Sequence, residues 1–196
     1  TMQGKNILII GASSGIGHAL ALNLQAQGAT LFTAGRRQPE GVQSTHMMWD
    51  IMTQPAAEAL NQLPDVLHGL VYAPGSINLK PFQRLSVDDY RNDLEINVLG
   101  AVAKSAVEGL TKALAAEFAP YNMRVNAVAP SLTDTPLAGF LLEGETKRDA
   151  ANKRHPLNRV GTPDDIAGMA AYLLSDQASW ITGQIIGVDG GMGSLK

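Results

Sequence analysis

The stretch NILIIGASSGIGHALALNL, Asn6 to Leu24, joins an apolar run to a glycine-rich turn and then to apolar residues at helical spacing. Ile7 to Ile10 reads as a buried strand, and Leu20, Leu22 and Leu24 ahead of Gly28 as one helix. A glycine turn between a strand and a helix lets backbone N–H groups approach a diphosphate at the positive end of the helix dipole, where a side chain would block the approach. The spacing Gly11-x-x-x-Gly15-x-Gly17 is a variant of the dinucleotide fingerprint. Alone it is also compatible with an ordinary tight turn; its place after the first strand and before a helix favours the nucleotide.

Outward from this turn, strand and helix signals alternate. Thr30 to Ala34 predicts a second strand, Gly35 to Thr45 a loop, and Met47 to Trp49 a short third strand. Ala56 to Leu63 predicts a helix ended by Pro64, and Leu67 to Ala73 a fourth strand. Met123 to Ala129 and Gln184 to Val188 predict two more strands, and Thr162 with Pro163 opens a helix whose dipole Asp164 and Asp165 suit. The alternation predicts an α/β fold with a doubly wound parallel sheet of Rossmann type, one domain over residues 1–196. Pro136 to Arg159, mixed and poorly periodic, reads as a lid-like insertion.

An NAD site places an acidic residue about 20 residues past the glycine turn. Here Arg36 and Arg37 stand there instead, at the end of the second strand. Guanidinium groups would grip a 2'-phosphate as a fork, so the expected cofactor is NADP (NADPH) rather than NAD. Arg37 reads equally well as a solvated loop residue, and Arg36 is the better candidate.

Composition narrows the classes further. A chain of 196 residues with 45% apolar content is long enough to bury a real core. The absence of cysteine excludes a disulfide scaffold, a thiolate metal site and a cysteine nucleophile, and points to the cytoplasm. A net charge of -3 with scattered basic residues argues against a nucleic-acid partner. No apolar run approaches the roughly 20 residues of a membrane span. His18, His46, His68 and His155 show no metal-ligand spacing and read as surface or loop residues.

With these residues in place, the chain resembles the short-chain dehydrogenase/reductase family from Asn6 to Met192. The resemblance implies that Gly11, Ser13, Ser14, Gly15, Ile16 and Gly17 cradle the cofactor and that Asp50 and Ile51 hold its adenine. Ala73 and Gly75 stand where the family carries Asn-Asn-Ala-Gly, although here the run is Tyr72, Ala73, Pro74 and Gly75. RVNAVAPSLTDTP (Arg124 to Pro136) is similar to the family's Arg-Val-Asn-x-(Ile/Val)-x-Pro-Gly segment, with Ser131 in place of glycine. That likeness implies that Pro130, Thr133 and Thr135 border the nicotinamide and the phosphates. PLNRVGTPDDIA and ITGQIIGVDGG (Pro156 to Ala167, Ile181 to Gly191) resemble the family's C-terminal signature. The implied activity is hydride transfer between a nicotinamide and a small-molecule carbonyl or secondary alcohol. The implied assembly is a homodimer or homotetramer, and Ala106, Leu110, Ala113, Leu114 and Glu117 offer a face of small and apolar residues for that contact.

The same resemblance exposes a gap. Asn97 in LEINVLG resembles the family's helix asparagine, and KSAVEGLTKALAAEFAP resembles the run that opens on its lysine, here Lys104, which also holds the ribose. The family's tyrosine stands four residues before that lysine, a position occupied by Gly100. Tyr72, Tyr90, Tyr121 and Tyr172 all belong to other segments. Only seven positions separate Asn97 from Lys104, far fewer than in the family. An unbroken helix from Val87 to Ala119 would extend about 50 Å at about 1.5 Å per residue, against a radius of gyration of about 16 Å for a domain of this size. The expectation is that the whole polypeptide carries a further segment between about 100 and 104, with an interior strand and the catalytic serine and tyrosine, and that Gly100 and Lys104 are not joined directly. The alternative is a natural deletion, which would leave a non-catalytic dinucleotide-binding or regulatory protein of the same fold.

Overall fold

Four apolar segments pair side by side, as the alternation requires. β1 (Asn6–Ile10) pairs in parallel with β2 (Thr30–Gly35) on one side and with β4 (Gly69–Tyr72) on the other, while β3 (Ser44–Met48) lies beyond β2. The order is therefore β3-β2-β1-β4. This is a computed structural model, and it describes residues 1–51, 53–75 and 106–195. Those residues divide into a first unit (1–51, 53–75, 130–178 and 187–195) and a second (106–129 and 179–186).

In the first unit both faces of the sheet are covered, because side chains of β1 alternate across the pleat. Ile7 and Ile9 pack with Leu20 and Leu24 of α1 (Gly15–Ala26) and with Ala167 and Ala171 of α5 (Pro163–Leu174). Leu8 and Ile10 point to the opposite face, where Met47, Trp49, Leu60 and Leu63 cover them. Each such fully buried aliphatic side chain contributes about 1.5–3 kcal/mol. α5 begins as its sequence predicts: Thr162 is the N-cap, Pro163 the first helical residue, and Thr162 and Asp165 form a reciprocal capping box.

Three boundaries differ from the sequence reading by three residues or more. β3 starts at Ser44 rather than Met47, because Ser44, Thr45 and His46 pair with Leu31, Phe32 and Thr33; edge strands tolerate polar residues. Thr33, fully buried, bonds Ser44 Oγ at 2.9 Å and His46 Nδ1 at 3.0 Å. α2 is only Ala56–Ala59, and Leu60 and Leu63 leave the helix to cover the sheet. β5 is Ala127–Pro130, because residues 124–126 are held instead by side-chain bonds. Val125 N–H donates to Thr182 Oγ1 at 3.2 Å and Asn126 Nδ2 to the Ile181 carbonyl at 2.9 Å.

The insertion at 136–159 is not a structureless loop. It carries a 3-10 turn (Gly139–Leu141) and α4 (Glu145–Lys153), and Leu142, Ala151 and Val160 bury a small cluster with Leu132 packed against it. In α4 only Ala151 is buried, so no apolar period marks it. In the second unit, residues 106–118 are helical (α3), and β5 pairs with β6 (Ile185–Val188). The stretch between Gly100 and Lys104, the join expected from the sequence, lies outside the described residues.

Candidate cofactor site

The carboxyl ends of the four parallel strands form one edge. Three of them, β1, β3 and β4, are prolonged there by one further bond each: Gly11 N–H to the Ala34 carbonyl at 3.0 Å, Trp49 N–H to Gly35 at 3.1 Å, and Ala73 N–H to Ile10 at 3.0 Å. From β1 the chain first winds outward through β2 and β3, then returns to place β4 on the other side of β1. The crevice beyond β1 is thus a topological switch point, the usual ligand position in open α/β sheets.

The glycine turn occupies this crevice. Gly11 has φ +88, and a Cβ on it would lie 3.0 Å from the Ala73 carbonyl carbon and the Pro74 nitrogen. A Cβ on Gly17 would lie 2.2 Å from the Gly11 carbonyl oxygen, so α1 docks on the turn with no room for a side chain. Ser14 is the N-cap of α1 in an extended conformation and makes no side-chain cap bond. The first-turn N–H groups of α1, from Gly15, Ile16 and Gly17, therefore point outward with the positive end of the helix dipole. Donors in such a backbone cradle fit a diphosphate.

Arg36 and Arg37 follow the last residue of β2 and are exposed. Neither has an ion-pair or hydrogen-bond partner among the described residues. Beyond β3, the Asp50 carbonyl accepts the N–H groups of Thr53 (3.2 Å) and Gln54 (3.1 Å), a turn that leaves Ile51 exposed beside it. On the other side of β1, Ala73 and Gly75 follow the end of β4, and Leu137 Cδ2 lies 3.8 Å from where a Gly75 Cβ would be. Pro130 ends β5 and is exposed.

The two threonines of the following segment differ. Thr135 packs on the turn, its Cγ2 3.4 Å from the Cβ position of Gly15, and its Oγ1 accepts the Ala138 N–H at 3.3 Å. Thr133 is 6% exposed and its hydroxyl turns inward to the Ser131 carbonyl at 3.1 Å. Asn97 and Lys104 lie outside the described residues. Every described residue that the sequence assigned to the cofactor falls in the first unit.

Sequence reasoning missed one polar node. His155 is not a surface residue but 4% exposed, with Nδ1 at 2.9 Å from the Ala151 carbonyl and Nε2 at 3.0 Å from Ser131 Oγ. Its only signal in the sequence was the serine at the family's glycine position, and the partner comes from 24 residues away. His46, likewise, lies in a strand, and burial pushes its imidazole pKa down.

Residues 5–103 match the family model described as short chain dehydrogenase, and residues 99–193 the one described as Enoyl-(Acyl carrier protein) reductase. The chain belongs to the short-chain dehydrogenase/reductase family, a family of oxidoreductases with a Rossmann-type parallel sheet. It is 30% identical to the 3-oxoacyl-acyl-carrier-protein reductase FabG of Thermotoga maritima, over 97% of this chain and 98% of that protein. It is 27% identical to 3beta-hydroxysteroid dehydrogenase 1 of Eggerthella lenta, over 97% of this chain and 94% of that one. A short-chain type dehydrogenase/reductase from Mycobacterium ulcerans superposes with a TM-score of 0.80 at 28% identity, covering 98% of this chain and 90% of that chain. An Agrobacterium tumefaciens chain, described as a candidate 2-deoxy-D-gluconate 3-dehydrogenase and crystallised with NADP bound, superposes with a TM-score of 0.81 at 27% identity, covering 99% and 98%. The Eggerthella alignment spans 246 positions although the whole of this chain is 196 residues, so at least 50 positions of the relative face no residue here. No helix among the described residues is long and apolar enough to cross a membrane.

Proposed function

We propose that this chain is an NADP(H)-dependent oxidoreductase that moves a hydride between the nicotinamide and a carbonyl or secondary alcohol of a small molecule. The observation that carries the reading is the position of Arg36 and Arg37: two exposed guanidiniums without partners among the described residues, at the strand end next to the diphosphate cradle. A 2'-phosphate there gains charge-assisted bonds that NAD cannot make. When bound, the cofactor supplies the hydride chemistry. The chain's own part is to hold the diphosphate on Gly11, Ser13, Ser14, Gly15, Ile16 and Gly17, to cover the adenine with Asp50 and Ile51, and to border the other end with Ala73, Gly75, Pro130 and Thr135. Lys104 is assigned to the ribose and to the proton transfer, with Asn97 beside it. Fluorescence titration tests the cofactor: NADPH binds more tightly than NADH, and equal dissociation constants would overturn the assignment.

The proton donor belongs to a segment that the whole polypeptide carries between about 100 and 104. Three observations support it. At least 50 positions of a relative face no residue of this chain. The two family models change over at residues 99–103. Among the described residues β4 is an edge of its sheet although it reads Gly-Leu-Val-Tyr, with Leu70 59% and Tyr72 65% exposed. Without that segment, the reading that remains is a dinucleotide-binding protein that does not catalyse. The cysteine-free sequence is consistent with a cytoplasmic location. Assembly as a homodimer or homotetramer is supported by the exposed α3 face, where Val107 is 53% and Leu110 55% exposed.

A further inference from the structure

His155 joins three parts of the first unit. Its Nδ1 faces the Ala151 carbonyl of α4 at 2.9 Å, and its Nε2 faces Ser131 Oγ just past β5 at 3.0 Å. Its Cβ and Cδ2 lie 3.6 Å from the position that a Cβ would take on Gly190 in the C-terminal turn. A carbonyl only accepts, so Nδ1 carries a proton, and in the neutral imidazole Nε2 is then an acceptor to which the Ser131 hydroxyl donates. That hydroxyl is thereby committed to the interior. The Ser131 carbonyl in turn accepts the Thr133 hydroxyl at 3.1 Å, and two residues on Thr135 packs against Gly15 of the diphosphate turn.

The direction of a bound dinucleotide follows from the sheet. With the diphosphate at the end of β1 and the 2'-phosphate at Arg36 beyond β2, the adenosine half lies toward β2 and β3. The nicotinamide half must then run the other way, toward β4, where Thr135 borders Gly15 and Leu137 borders Gly75. We infer that His155 is a positioning residue for the nicotinamide half of the cofactor, acting through Ser131 on the segment from Thr133 to Leu137. The inference rests on the cofactor reading above. It adds a residue pair, Ser131 and His155, at a position where the family pattern has glycine.

The test is calorimetric titration of NADPH and of 2',5'-ADP, a fragment that carries both phosphates of the adenosine half and no nicotinamide. Ser131→Ala and His155→Phe each raise the NADPH dissociation constant about tenfold, the scale of one buried polar bond lost with its partner left unpaired. His155→Gln, which can donate and accept in the same place, recovers most of that loss. The double variant Ser131→Ala/His155→Phe is no weaker than either single one, and 2',5'-ADP binds all variants as it binds the wild type. Unchanged NADPH affinity in Ser131→Ala overturns the inference, as does a parallel loss of 2',5'-ADP binding, which marks general loosening of the unit. A wild type that binds neither ligand overturns the cofactor reading itself.

Discussion

At the scale of single residues, the proposed cofactor choice rests on charge. In that reading Arg36 would contribute through a charge-assisted phosphate contact of about 1.5–3 kcal/mol. Arg36→Ala is expected to raise the NADPH dissociation constant roughly tenfold to hundredfold and to leave NADH nearly unchanged, both read by fluorescence titration. Asp165 is the corresponding structural charge. Arg159 donates to its two oxygens at 2.7 and 2.8 Å and the Thr162 N–H to one of them at 2.7 Å, and these bonds hold its carboxyl well below the usual carboxylate range. A carboxylate with a depressed pKa in the folded state stabilises fully above its unfolded pKa of about 3.9, and that stabilisation is lost as the pH falls toward the folded value. The stability difference between wild type and Asp165→Asn, from urea unfolding, is therefore largest at pH 5 and above and shrinks between about pH 4 and pH 2.

At the scale of elements, the strand–turn–helix unit tolerates no side chain at its crossing point. A Cβ on Gly17 would approach the Gly11 carbonyl oxygen to 2.2 Å, so Gly17→Ala forces α1 away from β1. The expected cost is on the order of 1–3 kcal/mol, with the cofactor turn displaced at the same time. Denaturant unfolding reads the first effect and NADPH titration the second; unchanged values in both would contradict the docking of α1 on the turn. The same unit was legible from the sequence because glycine spacing and apolar period coincide there. α4 was not, since its residues Glu145–Lys153 bury only Ala151 and its stability comes from packing that insertion on Leu132, a tertiary contact without a local signal. His155 escaped for the same reason, because a buried histidine and a loop histidine look alike until the partner at Ser131 is in place.

At the scale of the whole molecule, the edge of β4, unpaired among the described residues, and the exposed apolar residues of α3 are the places where further protein is proposed. If the polypeptide carries the segment proposed between about 100 and 104, intact-mass spectrometry finds a mass several kilodaltons above 20.7 kDa. A mass equal to 20.7 kDa favours the non-catalytic reading. Analytical ultracentrifugation at micromolar concentration is expected to find a dimer or tetramer, and a single monomeric species would contradict the role given to the α3 face.

The sequence by itself determined the alternation of strands and helices, the glycine turn and the basic strand end, because each is written in contiguous residues: an apolar run, a glycine spacing, a charge at a fixed distance. It also marked Thr162 and Asp165 as the start of α5, since a capping box is a local motif. Only the tertiary structure decided that Thr133 turns its hydroxyl away from the cleft, that the 136–159 insertion packs around a core of its own, and that Ser131 and His155 share a proton-bearing contact. These depend on residues far apart in the chain meeting in one place. A sequence carries no local period for such meetings, because they form only once burial of the apolar faces has fixed where each segment lies.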